Sequence, residues 1–196
     1  MTLPHAFQNP VVVMGPPSYA DTAPVTVRVR SVGPTSFQFR LEEWDYQDGP
    51  HGTETVSYLV VEAGEYAVPG GGTLVAGHST GIDYENPRTE ALPVGGFAAT
   101  PLVLTQVVTA GGARAVVPRL ANVSSASFQL RIEGEDALSS NLPIEDVHWI
   151  ALEPAAIPGV LQATVLPTVD ENPDQVSYSQ GFPAAPHLFA AGKPWE

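Results

Sequence analysis

Val32-Gly-Pro-Thr-Ser-Phe-Gln-Phe-Arg-Leu-Glu42 recurs 91 positions later as Val123-Ser-Ser-Ala-Ser-Phe-Gln-Leu-Arg-Ile-Glu133. Both stretches alternate apolar and polar side chains, the period of a strand with one face in a core. Moving outwards, the same shift lays Pro10-Val-Val-Val13 on Pro101-Leu-Val-Leu104. It also lays Glu54-Thr-Val-Ser-Tyr-Leu-Val-Val-Glu62 on Glu145-Asp-Val-His-Trp-Ile-Ala-Leu-Glu153, so the loops between strands keep their lengths. Chance is a poor explanation for so long a gapless match; the chain uses one building block twice. Within the first copy, Thr26–Arg30 and Phe37–Leu41 read as a hairpin about Pro34, with valine and phenylalanine inward and arginine and glutamine outward. Val56–Val61 is apolar on both faces and reads as a central strand. No stretch carries a helix of useful length.

The expected fold is therefore all-β: two tandem antiparallel β-sandwich modules plus the start of a third. The boundaries are 1–66 for module 1, 67–87 for a Gly/Pro-rich connection around Pro69 to Gly72, 88–158 for module 2, and 159–196 for a linker and partial third repeat. Thr73–His78 is read as an entering strand that belongs with module 2. The third copy is announced by Gly181-Phe-Pro-Ala-Ala-Pro186, which matches Gly96-Phe-Ala-Ala-Thr-Pro101, with Phe7 and Pro10 as the first instance. This pattern favours a third repeat that runs on past Glu196 over a segment that leaves its module to pair with a neighbour.

The formal charge of -13, from 8 Lys plus Arg against 21 Asp plus Glu, repels a phosphate backbone and argues against nucleic acid. The absence of cysteine removes disulfides, thiolate nucleophiles and Cys-based zinc sites. No apolar run is long enough to cross a bilayer as a helix, and Met1–Phe7 lacks the basic and apolar regions of a secretory signal, so no membrane partner is expected. The 20 prolines and 18 glycines suit short strands joined by tight turns.

The order of Phe, Pro and an apolar strand, then Val27-Arg-Val29, a short turn, Phe37-Gln-Phe-Arg-Leu-Glu-Glu43, an acidic loop with His51 and Glu54, and Val56-Ser-Tyr-Leu-Val-Val-Glu62 resembles the H-type lectin domain. The resemblance implies a six-stranded antiparallel sandwich, assembly into trimers and recognition of terminal galactose or N-acetylgalactosamine between protomers. Similar repeats occur in bacterial surface proteins and in fibres or spikes of phages and gene transfer agents. Carried onto this chain, the carbohydrate-binding candidates are Trp44, Tyr46, Asp48 and His51 in the loop, with Asp21 and Arg40 beside it. Aromatic faces stack on a pyranose while carboxylates accept its hydroxyls. The corresponding loop of the second copy, Glu135–Glu145, has no aromatic, so the two copies have diverged in role.

Asp45, Asp48, His51 and Glu54 recur every third residue but lack the glycine and ligand order of a calcium loop, and no metal or other cofactor is expected. The glutamates repeated in both copies, Glu54 with Glu145 and Glu62 with Glu153, read as structural acceptors for backbone N–H groups in turns. His148 alternates with Trp149, so one of the two faces solvent or an interface. No nucleophile, base and electrophile combine into a reaction class, and the chain is not expected to be an enzyme. The expected function is a carbohydrate-binding or host-attachment component of a virion, a head spike or tail fibre, with a glycan or capsular polysaccharide as ligand. Its protein partners would be copies of itself in a homo-oligomer (a trimer) or other virion proteins; a bacterial cell surface or extracellular location is the alternative site. The rival reading is a structural spacer or decoration protein that mediates assembly without binding sugar.

Overall fold

The computed structural model describes residues 1–47, 51–70, 72–135, 141–158, 160–164, 175–179 and 181–190. The fold is all-β. Its strands are β1 (Pro10–Met14), β2 (Val25–Val32), β3 (Phe37–Glu43), β4 (Tyr58–Glu62), β5 (Gly64–Ala67), β6 (Thr73–Ile82), β7 (Arg88–Ala91), β8 (Leu102–Val107), β9 (Val117–Ala121), β10 (Ser127–Glu133), β11 (Glu145–Leu152), β12 (Ala155–Ile157) and β13 (Leu161–Ala163). One 3-10 turn, Asp45–Gln47, follows β3, and there is no α-helix among the described residues.

The pairings repeat as the sequence does. β1 pairs with β4 and β8 with β11, both antiparallel, and Val13↔Leu59 in the first becomes Leu104↔Ile150 in the second. β2 pairs with β3 and β9 with β10, and Arg28↔Arg40 becomes Arg119↔Arg131. Both registers are thus preserved under the shift of 91. A slip of one residue would have turned every apolar side chain to the wrong face. The hairpin β5–β6, with Tyr66 opposite Leu74, is echoed by β12–β13, with Ile157 opposite Leu161.

Two strands make the halves unequal. β6 adds to β11, giving the order β5-β6-β11-β8, and β7 adds to β10, giving β7-β10-β9. Among the described residues β4 and β3 have no such third neighbour. Within the stretch 67–87, expected as a connection with Thr73–His78 entering the second half, the strand is β6, which runs on to Ile82 and pairs with β11. Val56–Val61, expected to be central, contributes β4, which among the described residues has only β1 beside it, whereas its counterpart β11 is central.

Side chains gather in three apolar clusters separated by two sheets. Val12, Met14, Val27, Val29 and Phe37 form the first, between β1 and the β2–β3 hairpin. Val11 and Val13, from the opposite face of β1, meet Ala76, Leu104 and Ile150 in the second. Phe128, Leu130, Ile132, Val147 and Trp149 anchor the third, where the four- and three-stranded sheets meet. β1 and β11 lie between clusters and are apolar on both faces for that reason. Trp149 points into the third cluster, its indole N–H donating to Ser79 at 3.0 Å, while His148 faces β1.

The expected facing of the first hairpin needs a correction at two positions. Arg28 is not outward but fully buried, and Phe39 is not inward but 38% exposed. The first follows from the β8–β9 connection and β11 closing over β2, which converts an outer face into an interface. The second follows from the missing third strand: Leu130, the counterpart of Phe39, is covered because β7 pairs beside it.

Candidate functional site

The repeated glutamates hold the same bonds in both copies. Glu54 accepts the Ser18 hydroxyl and the backbone N–H groups of Ala20 and Asp21, the last at 2.8 Å. Glu145 accepts the Thr109 hydroxyl and the N–H of Gly111 at 3.0 Å. The two hydroxyls in turn accept the N–H of Thr55 and of Asp146, each at 2.8 Å. Glu62 accepts the N–H groups of Gln8 and Asn9, and Glu153 those of Ala98, Ala99 and Thr73. These carboxylates satisfy turn donors that would otherwise be orphaned, which is the structural role read from their repetition.

His51 and Asp21 are brought together in this turn. Asp21 accepts the N–H of Ala23 at 3.1 Å and of Gly52 at 2.8 Å. Those bonds, led by the one from Ala23, with the neighbouring His51, hold its carboxyl below the usual range. A Cβ on Gly52 would stand 2.8 Å from the Asp21 carboxylate, which would have to turn aside. His51 Nδ1 lies 2.9 Å from Glu43 and its Nε2 lies 3.4 Å from Glu54. Burial opposes protonation of the ring, but Glu43, Asp21 and Glu54 together outweigh it and raise its pKa. The Ser18 hydroxyl, ahead of the Asp21 and Ala20 amides and His51, lowers that of Glu54. The cluster is a turn in which Asp21, Glu43 and Glu54 surround the His51 ring and hold the backbone N–H groups of residues 20, 21, 23 and 52.

The other candidates are placed differently. Arg40 pairs with Glu42 on its own strand, the Nε distance being 2.7 Å. Trp44 is half-buried and Tyr46 is 66% exposed. Asp48 lies outside the described residues. Trp44 and Asp45 form one wall of a cleft whose other wall is Arg114, Ala115, Glu135 and Leu142 from the second half of the chain. Asp45 lies 3.8 Å from Arg114 across it. The cleft is too narrow for a water-sized sphere, so a ligand would rest on its rim. A second cavity, of about 160 Å³, is lined by Met14, Val27, Thr105, Val116, Pro118 and Ala190 among others, with no ionisable side chain.

Below the cleft lies a polar network that the alternation pattern did not disclose. Arg28 Nη2 meets Glu145 at 2.6 Å, Nη1 meets Glu42 at 3.3 Å, and Nε donates to the Thr109 carbonyl at 2.6 Å. Arg28 and Arg40 sit directly opposite on β2 and β3, a like-charge pair that Glu42 neutralises by bonding both. The sequence did hold a signal: Arg28, Arg40 and Glu42 recur as Arg119, Arg131 and Glu133.

The free edge of β1 is sealed by two histidines whose rings pack at a tilt with centroids 4.4 Å apart. His148 Nδ1 accepts the Val12 N–H at 3.0 Å, and His78 Nε2 lies 3.3 Å from the Pro10 carbonyl. Burial, with His78 beside it, pushes the His148 pKa down to about 3. The folded state therefore binds fewer protons than the unfolded chain, whose histidine titrates near ~6.5. Its contribution is complete above that value and is lost as the pH falls from about 6.5 towards about 3. At pH 5.5 this group alone is expected to cost roughly 1.4 kcal/mol. Urea titrations at pH 7.5 and 5.5 measure it: His148→Asn, which keeps an acceptor for Val12, should lose less stability between the two than the parent. An equal loss in both proteins would remove His148 as the cause.

No family model matches the chain, and no solved structure matches it. Over 93% of its length the chain is 30% identical to a stretch of Halomucin from Haloquadratum walsbyi, and it spans 2% of the length of that protein.

Proposed function

We propose that the chain is a run of tandem antiparallel β-sandwich modules that serves as a rigid spacer in a larger surface assembly, a virion fibre or a cell-surface protein. The observation that carries this reading is the buried contact between the two halves. A fully desolvated Arg28 bonds Glu42 on its own side and Glu145 and Thr109 on the other, beside an apolar layer shared by β1, β8 and β11. Contacts of this kind fix the relative orientation of two modules, because a tilt would strand buried charge. On this reading a complete module runs from β6 to β11, and β5–β6 is the hairpin that passes from one module to the next. The similarity to a short stretch of a far longer protein, Halomucin, supports a part of a larger whole.

A second reading, glycan binding of the kind used for attachment to a host, is favoured by the half-buried Trp44 in the wall of the cleft between the halves and by the exposed Tyr46 two residues on. Linked copies would multiply weak sugar contacts into useful avidity. The test is a glycan array probed with the protein displayed multivalently, alongside Trp44→Ala and Tyr46→Ala. No signal above background at any glycan is the result expected of a spacer. Binding that both variants abolish, with unfolding midpoints unchanged, would overturn the spacer reading in favour of the lectin one.

A further inference from the structure

We propose that His51 is a proton-operated clasp. As an imidazolium it ties the end of β3 to the turn of residues 18–23 and so holds Trp44 in its wall of the cleft between the halves; loss of the proton releases that wall. The inference adds regulation to the cleft of the glycan reading, and rests on that reading only for what the cleft would hold.

The His51 side chain is 7% exposed, and the charged groups that face it are all carboxylates. Glu43, at the end of β3, lies 2.9 Å from Nδ1, and Glu54 lies 3.4 Å from Nε2. Asp21, in the turn of residues 18–23, holds the N–H of the adjoining Gly52. The arginines of the surrounding elements, Arg40 and Arg114, lie against Glu42 and Asp45 instead. A neutral ring that donates from Nδ1 to Glu43 turns the lone pair of Nε2 towards the Glu54 carboxylate, and the other tautomer does the same to Glu43. Only the imidazolium carries an N–H for each. Nε2 is buried and makes no other hydrogen bond, so Glu54 is the partner left to it.

The second copy shows that the fold itself does not need this chemistry. Under the shift of 91, His51, Glu43 and Asp21 become Leu142, Gly134 and Gly112, while Glu54 remains a glutamate as Glu145. Leu142 is 6% exposed and packs on Gly134, where a Cβ would stand 3.0 Å from it. The same corner is thus closed by an apolar contact that no proton can alter, and its glutamate is met by Arg28. Both corners adjoin one cleft: Trp44 and Asp45, directly after Glu43, form one wall, and Gly134 and Leu142 belong to the other. One wall is fixed and the other answers to pH.

Burial favours the neutral ring, but Glu43, Asp21 and Glu54 outweigh it. The clasp is therefore fully closed below the ~6.5 of a free histidine and is lost as the pH rises through the raised folded-state value. Glu54 then stays where it is, held by the Ser18 hydroxyl and the N–H groups of Ala20 and Asp21. The contact to Glu43 is the one that gives, and Trp44 moves with its neighbour.

The test uses the full chain with fluorotryptophan at its three tryptophans, the Trp44 fluorine resonance being identified by Trp44→Phe. Nitrogen shifts of the imidazole report the proton on His51. From about pH 6 to about pH 9 the Trp44 resonance is expected to shift with the midpoint of the His51 titration, above that of a free histidine. Glu43→Gly combined with His51→Leu installs the pair of the second copy; its Tm should stay within about 3 °C of the parent and the shift should vanish. A Trp44 resonance that still moves in this variant, or that stays fixed in the parent while the His51 ring titrates, overturns the clasp. So does a His51 ring already neutral at about pH 6.5. Should the double variant fail to fold, His51→Gln decides in the same way, loss of the shift supporting the clasp and its survival sinking it. No readout involves a sugar, so a blank glycan array leaves the clasp standing, and a clasp that fails leaves the glycan reading to its own test.

Discussion

Arg28→Ala is expected to destabilise the chain by about 3–5 kcal/mol, because it removes the one cation between two buried carboxylates. Glu42 would keep Arg40, and Glu145 would keep Thr109 and the Gly111 N–H, which places the effect towards the lower end of that range. The Thr109 carbonyl would lose its donor outright. Arg28→Lys keeps the charge but not the fork that reaches Glu42, Glu145 and the carbonyl at once, so it should recover only part of the loss. Urea unfolding at pH 7.5 measures both. A cost below about 1 kcal/mol for the alanine variant would mean that the network is solvated and does not hold the halves together.

Phe128→Ala should cost about as much, roughly 3–5 kcal/mol, for a different reason. Its ring is fully buried in the third cluster and packs edge-on against Trp149, with centroids 5.2 Å apart. Truncation leaves a cavity whose walls belong to two hydrogen-bonded sheets and cannot collapse. Phe39→Ala, which removes a ring two positions along β3 from Phe37, the buried counterpart of Phe128, should cost less than about 1 kcal/mol because that ring is already partly in water. Matched denaturation curves give the comparison, and equal costs would show that Phe39 is covered in solution.

The contrast between Phe39 and its counterpart Leu130, 38% and 0% exposed, shows where sequence reading stops. Period-two alternation identifies strands and their two faces, and repetition identifies equivalent positions, but neither says how many neighbours a strand has. β10 gains β7 and β11 gains β6, while β3 and β4 gain nothing comparable among the described residues. The same limit hid Arg28. Its place in the alternation marks an outward face, which it is, until β11 and the β8–β9 connection pack over that face. The candidate site was legible to a similar depth. The turn pairing Asp21 with His51 came together, whereas Trp44 faces residues such as Arg114 and Glu135 that lie far along the chain.

The sequence by itself determined the all-β character, the strands of the repeated stretches, the hairpin about Pro34 and the repeat that preserves register, since each depends on near neighbours and on periodicity; β5, β7, β12 and β13 it did not announce. Tertiary structure alone decided which faces are buried, which charges are desolvated and which histidine seals an edge. Those outcomes depend on contacts between residues such as Arg28 and Glu145, or Val12 and His148, separated by 117 and 136 positions. Solvent exclusion at such a contact is created by the other half of the chain and leaves no periodic trace in either partner.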